Sequence, residues 1–182
     1  PLGLDNIGVT RITTQHLIAL GHTDIAFVGS TPPTDAPARD VDERSIGYRT
    51  AMNDSGLAVR IRNVPSTLTI TDAYAAAASF LADAATRPTG VVAACDEVAV
   101  GVIIAARRMG IAVPTELSVV GIDGHDYAEM FALTTVEQYP EAQGIEATRL
   151  LLSMLEGAEP PARSIADTRL VVRASTAPPR TA

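Results

Sequence analysis

Apolar residues recur along this chain in two alternating rhythms. Ile12, His16, Leu17 and Leu20 fall at helical spacing ahead of Gly21, and Ile25 to Val28 then form a continuous β-branched and aromatic run. The spacing predicts a helix closed by a left-handed glycine and followed by a strand. The unit recurs. Glu43 to Asp54 carries Ile46, Gly47, Tyr48 and Met52 toward Gly56, with Val59 to Val64 as the next strand. Thr71 or Asp72 is placed to cap an alanine-rich helix to about Ala85, and Gly90 to Cys95 reads as a strand. Asp96 is the expected cap of a helix ending at Met109 before Gly110. Leu117 to Ile122 and Thr134 to Val136 are further strands, Glu141 to Leu155 is an amphipathic helix, and Thr168 to Val172 is a last strand.

Strands alternating with helices of this length specify an α/β fold with a doubly wound parallel sheet, because parallel neighbours need a long crossover. The unbroken apolar runs Ile25-Ala26-Phe27-Val28 and Val91-Val92-Ala93-Ala94 suit strands covered on both faces. Proline-rich Ser30 to Asp40 and Ala177 to Ala182 read as the flexible parts.

Composition narrows the function. With 47% apolar and 19% charged residues among 182, the chain has the makings of a packed core. The apolar run from Gly90 to Met109 is cut by Asp96 and Glu97, so no membrane span is expected. A net charge of -7 makes nucleic-acid binding by this stretch itself unfavourable. All 14 cations are arginine, which removes phosphate-loop, Schiff-base and kinase-like chemistries that need lysine. Cys95 is the single cysteine and Pro1 does not look like a gene's first residue.

In open α/β sheets ligands gather outside the carboxyl ends of the strands. The predicted ends supply Ser30 through Arg44, Ser66 to Thr69, Cys95 with Asp96, and Asp123 with Gly124 and His125. Carboxylate acceptors and a guanidinium fork suit a small polyhydroxylated ligand. Gly121-Ile122-Asp123-Gly124 lacks the dinucleotide glycine pattern and puts a carboxylate where a phosphate would lie.

Five segments in order, His16-Leu17-Ile18-Ala19-Leu20-Gly21-His22, Ile25-Ala26-Phe27-Val28-Gly29, Arg44-Ser45-Ile46-Gly47-Tyr48, Asp96-Glu97-Val98-Ala99-Val100-Gly101 and Val113 to Asp123 with Leu133-Thr134-Thr135-Val136, resemble the LacI/GalR repressor family. The resemblance runs from about Asp5 to Thr176. It implies a core like the type I periplasmic sugar-binding proteins, binding a sugar-like effector without catalysis or cofactor. The regulator would be cytoplasmic and homodimeric, away from membranes, and would meet DNA only through an N-terminal helix-turn-helix domain outside this chain. It divides the chain into residues 1–22, a remnant helix of the N-terminal subdomain; 23–136, the C-terminal effector-binding subdomain; 137–157, a helix crossing back; 158–176, a final strand; and 177–182, a flexible tail. Arg44 and Asp123 match the family's effector-binding arginine and aspartate. Gln138 matches a position reaching the ligand from the hinge, Asp40 and Leu68 match pocket-lining positions, and Cys95 departs from the usual asparagine.

Each residue has a plainer reading. Arg44 could be a surface arginine, although the positive end of a helix opposes a cation in its first turn. Asp123 could be an ordinary turn aspartate before glycine, Cys95 a small strand-end residue, and His22 a structural hydrogen-bonding group. Two rival chemistries are weaker: Cys95 with His125 as nucleophile and base, and Asp123, His125 and Asp126 as metal ligands. A periplasmic sugar receptor of a transport system is the alternative on the same fold.

Overall fold

The structure is a computed structural model that describes residues 2–29, 39–159, 161, 162 and 164–180, with side chains in the helix starting at Arg39 described from residue 43. Residues 30–38 of the loop expected to be flexible, and the side chain of Asp40, therefore lie outside the described residues. In chain order the elements are β1 (Leu2–Gly3), α1 (Asn6–Ala19), β2 (Ile25–Gly29), α2 (Arg39–Asp54), β3 (Arg62–Pro65), α3 (Ile70–Phe80), β4 (Gly90–Ala93), α4 (Asp96–Arg108), β5 (Ser118–Asp123), β6 (Thr134–Glu137), α5 (Pro140–Leu155), β7 (Ser164–Ile165) and β8 (Arg169–Val171).

Six strands form one sheet in the order β3-β2-β4-β5-β6-β8, parallel except for the antiparallel edge strand β8. The chain leaves β2 toward β3 on one side and returns to β4 on the other, so the order reverses between β2 and β4. A crevice opens at such a reversal, because the flanking loops depart in opposite directions.

Period-two alternation serves both faces. Ile25 and Phe27 of β2 with Val92 of β4 pack beneath Leu17 of α1 and Tyr48 and Met52 of α2. Val28, Val91 and Ala93 point the other way, against α3 and α4. Tyr48 is wholly buried, donates to Ile25 O at 2.8 Å and accepts from Arg62 N–H at 2.9 Å, so it ties α2 to β2 and β3 without leaving its polar end unpaired.

The structure corrects several local expectations. The resemblance assigns residues 1–22 to another subdomain, whereas α1 lies against α2 and this sheet. Its buried face is Val9, Thr10, Thr13, Thr14 and Leu17, whereas Ile12 is 42% exposed. The threonines are buried at little cost because Thr13 and Thr14 donate to Thr10 O at 2.9 and 2.8 Å. Thr69, not Thr71 or Asp72, caps α3, accepting from Asp72 N–H at 3.2 Å. A short 3₁₀ turn, Ala58–Arg60, precedes β3 where the strand was expected to begin at Val59.

The tail also differs from expectation at its start. His22 is buried, with Nδ1 2.9 Å from Thr89 Oγ1 and Nε2 2.8 Å from Ala177 O, while Ala177 N–H donates to Ser118 Oγ at 3.0 Å. Those bonds pin Ala177 beneath the sheet. By contrast β1 and β7 pair only with each other as a short parallel ribbon, and α5 buries none of its residues. Ile145, Leu151, Leu152 and Leu155 of α5 are all more than half exposed. No helix among the described residues is long and apolar enough to cross a membrane.

Candidate functional site

Three strand ends and one helix deliver the polar cluster. Arg44 enters from the first part of α2, Cys95 to Glu97 follow β4, Asp123 ends β5, and Gln138 follows β6. Arg44 sits at the reversal point of the sheet, where its Nη1 donates to Ala94 O beside β4. Its Nε donates to Asn6 Oδ1 at 3.1 Å, and its Nη2 lies 3.5 Å from Asp123 Oδ1. Because α2 begins at Arg39, Arg44 lies past its first turn and is not opposed there by the helix as expected; its guanidinium instead meets acceptors on α1, just after β4 and at the end of β5. Gln138 Nε2 donates to the same Asp123 oxygen at 3.0 Å.

Asp123 is a residue under tension. Its φ of +128° is unusual for a side chain other than glycine, and its carboxyl is pushed up to about 6, first by burial and then against the pull of Arg44. Asp96 is fully buried one strand away and is not the helix cap expected of it. Cys95 occupies the capping position of α4 without a side-chain bond, and the Asp96 carboxylate turns inward to accept from His125 N–H at 2.8 Å and Thr135 Oγ1–H at 2.6 Å. It therefore secures the turn that follows Asp123. Burial also raises Asp96, with those two donors acting in the opposite direction.

The remaining sequence candidates divide. Cys95 is 4% exposed and its thiol is pushed up to about 12 by burial, with Glu97 and Asp123 nearby adding to the effect. His125 is turned to Glu97, with Nε2 at 3.9 Å, and stacks on Tyr127 at 4.1 Å. A nucleophile needs a lowered thiol, so the Cys95–His125 pairing lacks its driving feature. The metal reading changes membership: Cys95, Glu97 and Asp123 have possible ligand atoms within 4.8 Å of one another, instead of Asp123, His125 and Asp126. Leu68 stands beyond the carboxyl end of β3 with its side chain 42% exposed and joins no part of the hydrogen-bonded cluster. Asp40 is placed in the first turn of α2 by its backbone alone.

A sequence profile described as a periplasmic binding protein-like domain matches residues 14–176. The chain belongs to that family. Its relatives within the family are gene regulators: it is 35% identical over 175 residues to the HTH-type transcriptional regulator CelR of Thermobifida fusca, covering 94% of this chain and 50% of that protein. A LacI transcriptional regulator from a Rhodococcus species superposes with a TM-score of 0.86 at 29% identity, over 97% of this chain and 65% of that one. A LacI family regulator from Enterococcus faecium, solved with bound ribose, superposes with a TM-score of 0.85 at 26% identity, over 97% and 65%. The chain spans about half the length of the curated relatives it matches.

Within this periplasmic binding protein-like domain, two parts of the cluster escaped sequence reasoning. Asn6 is 38 residues from Arg44 and no local pattern connects them. Tyr127 Oη is buried with no hydrogen-bond partner among the described residues, and burial with the neighbouring acids raises its pKa. The Asp96-Glu97 pair at a helix start was a visible signal for Glu97, whose carboxyl stays below its ordinary value despite its burial, held by its own backbone N–H and by His125.

Proposed function

We propose that this domain is the effector-sensing part of a LacI-type transcriptional regulator, and that Arg44, Asp123 and Gln138 hold a small sugar or related metabolite. The observation that carries the reading is the meeting of Arg44 and Gln138 on one oxygen of Asp123 at the carboxyl ends of the strands. Asp123 offers a second oxygen to ligand hydroxyls, and the Arg44 fork orients it. Cys95 adds a small apolar wall, and the proposal extends to Asp40 and Leu68 on the family resemblance alone. The ribose bound by the Enterococcus faecium relative supports a sugar-sized polyol, and the CelR likeness supports a regulator over a transport receptor.

Nothing in this reading requires turnover. A ligand shifts such a switch by binding one arrangement more tightly than the other, and operator DNA feels the same coupling in reverse. With a net charge of -7, this domain leaves DNA contact to another part of a cytoplasmic homodimer. The test is calorimetry and operator binding on the full-length protein. Asp123→Ala and Arg44→Ala should each lower effector affinity by about tenfold or more while operator affinity holds. Unchanged effector affinity in both variants overturns the assignment.

A further inference from the structure

Asp123 and Gly124 carry consecutive positive φ values, +128° and +71°. The first is a strained conformation for a residue with a side chain, and such a residue persists only where its surroundings hold it. What holds it is a buried arrangement around Thr135. His125 N–H donates to Asp96 Oδ2 at 2.8 Å, and Gly124 N–H donates to Thr135 Oγ1 at 3.3 Å. The Thr135 hydroxyl in turn donates to Asp96 Oδ1 at 2.6 Å, so one side chain joins the backbone of the turn to the buried carboxylate. Both backbone groups are obligate donors, which fixes Asp96 as acceptor and leaves the Thr135 proton one direction to point. Gly124 lies so close to β6 that a Cβ there would stand 2.6 Å from Glu137 Cγ. Room for the carboxylate comes from Gly121, the register partner of Thr135, where a Cβ would collide with Asp96 Oδ1.

We propose that Thr135 is a positioning residue for the effector site: its hydroxyl, oriented by Asp96, holds Gly124 and so keeps Asp123 in the conformation that brings its carboxylate to Arg44 and Gln138. The proposal rests on the reading of Asp123 as a ligand acceptor. Thr135 is wholly buried, so whatever it contributes to binding passes through Asp123. All members of the arrangement belong to the start of α4, to β5 and β6, and to the turn after β5. Without the hydroxyl, Gly124 N–H and one oxygen of Asp96 lose their partner. The turn is then free to relax, Asp123 returns to a negative φ, and its carboxylate leaves Arg44 Nη2, now at 3.5 Å, and Gln138 Nε2, now at 3.0 Å.

Crystal structures and urea unfolding of the full-length protein test this without an identified ligand. Thr135→Val removes the hydroxyl and keeps the branched shape; Thr135→Ser keeps the hydroxyl. In the Thr135→Val structure we expect Asp123 at a negative φ, with Arg44 Nη2 and Gln138 Nε2 both more than about 4 Å from its carboxylate. In Thr135→Ser both contacts should stay. The solution readout is the rise in urea midpoint that Asp123→Asn gives at pH 7.5 relative to pH 4, where asparagine serves only to remove the charge. That rise should fall to less than about half in the Thr135→Val background, because a relaxed carboxyl reaches solvent and titrates near its ordinary value, and should persist in Thr135→Ser. A threonine that served the core alone would lower every midpoint alike and leave the rise intact. Asp123 keeping its φ and both contacts in Thr135→Val, an undiminished rise, or equal effects of valine and serine would each overturn the proposal. The effector experiment above reads separately: unchanged affinity in Asp123→Ala sinks the ligand assignment, whereas lost affinity there with Asp123 unmoved in Thr135→Val sinks the positioning role alone.

Discussion

Replacing Asp123 by asparagine should stabilise the protein at neutral pH. The carboxyl titrates near 4 in an unfolded chain and at about 6 in the fold, so the fold takes up a proton between those values. The contribution of this group is therefore most favourable below about pH 4 and is lost as the pH rises through 6. Above that, the native state carries a charge that burial opposes more strongly than Arg44 supports it. A shift from 3.8 to about 6 corresponds to about 3 kcal/mol, at about 1.4 kcal/mol for each unit. Because the side chain is 29% exposed, solvent screening brings the expected gain to about 1–2 kcal/mol. Asparagine retains an acceptor for Gln138 and tolerates the positive φ of +128° better than most side chains. Urea unfolding followed by circular dichroism at a series of pH values is the assay. The variant should match wild type near pH 4 and exceed it by the full amount near pH 7.5. A stability difference independent of pH, or a wild type that is the more stable at pH 7.5, refutes the reasoning. An acceptor that costs stability where it stands fits a group kept for binding.

Two further outcomes follow from packing and reactivity. At Gly47 a Cβ would collide with Ile7 O across the α1–α2 contact, so Gly47→Ala should lower stability by about 1–3 kcal/mol, and a thermal midpoint at or above wild type would show the two helices are not so closely fitted. Cys95, buried and held at about 12, should react with iodoacetamide in the native protein at least ~10³-fold more slowly than a free thiol; labelling at the free-thiol rate without denaturant would show that the strand end is open.

Much of this was legible in the chain alone. The alternation of apolar runs with helical spacing gave the α/β class, since each strand's pattern depends on its own few residues being covered on both faces. The same local logic put Gly21 at a left-handed position, where its φ is +99°. Arg44 and Asp123 were identified through resemblance and strand ends, and the structure brings the two side chains together. What failed was whatever depended on a distant partner. The inner face of α1 could not be read because buried threonines bonded to their own backbone look solvent-facing in a hydrophobicity pattern. Asp96 looks like a helix cap from its neighbours, yet a serviceable capping position lost to Thr135, 39 residues away, and to the amide of His125. Asn6 beside Arg44, and Gln138 beside Asp123, exist as partners only once sheet order has set the distances. Local sequence determined which segments fold and with what period; the tertiary structure decided which polar groups answer one another, because a hydrogen bond depends on distances that no periodicity encodes.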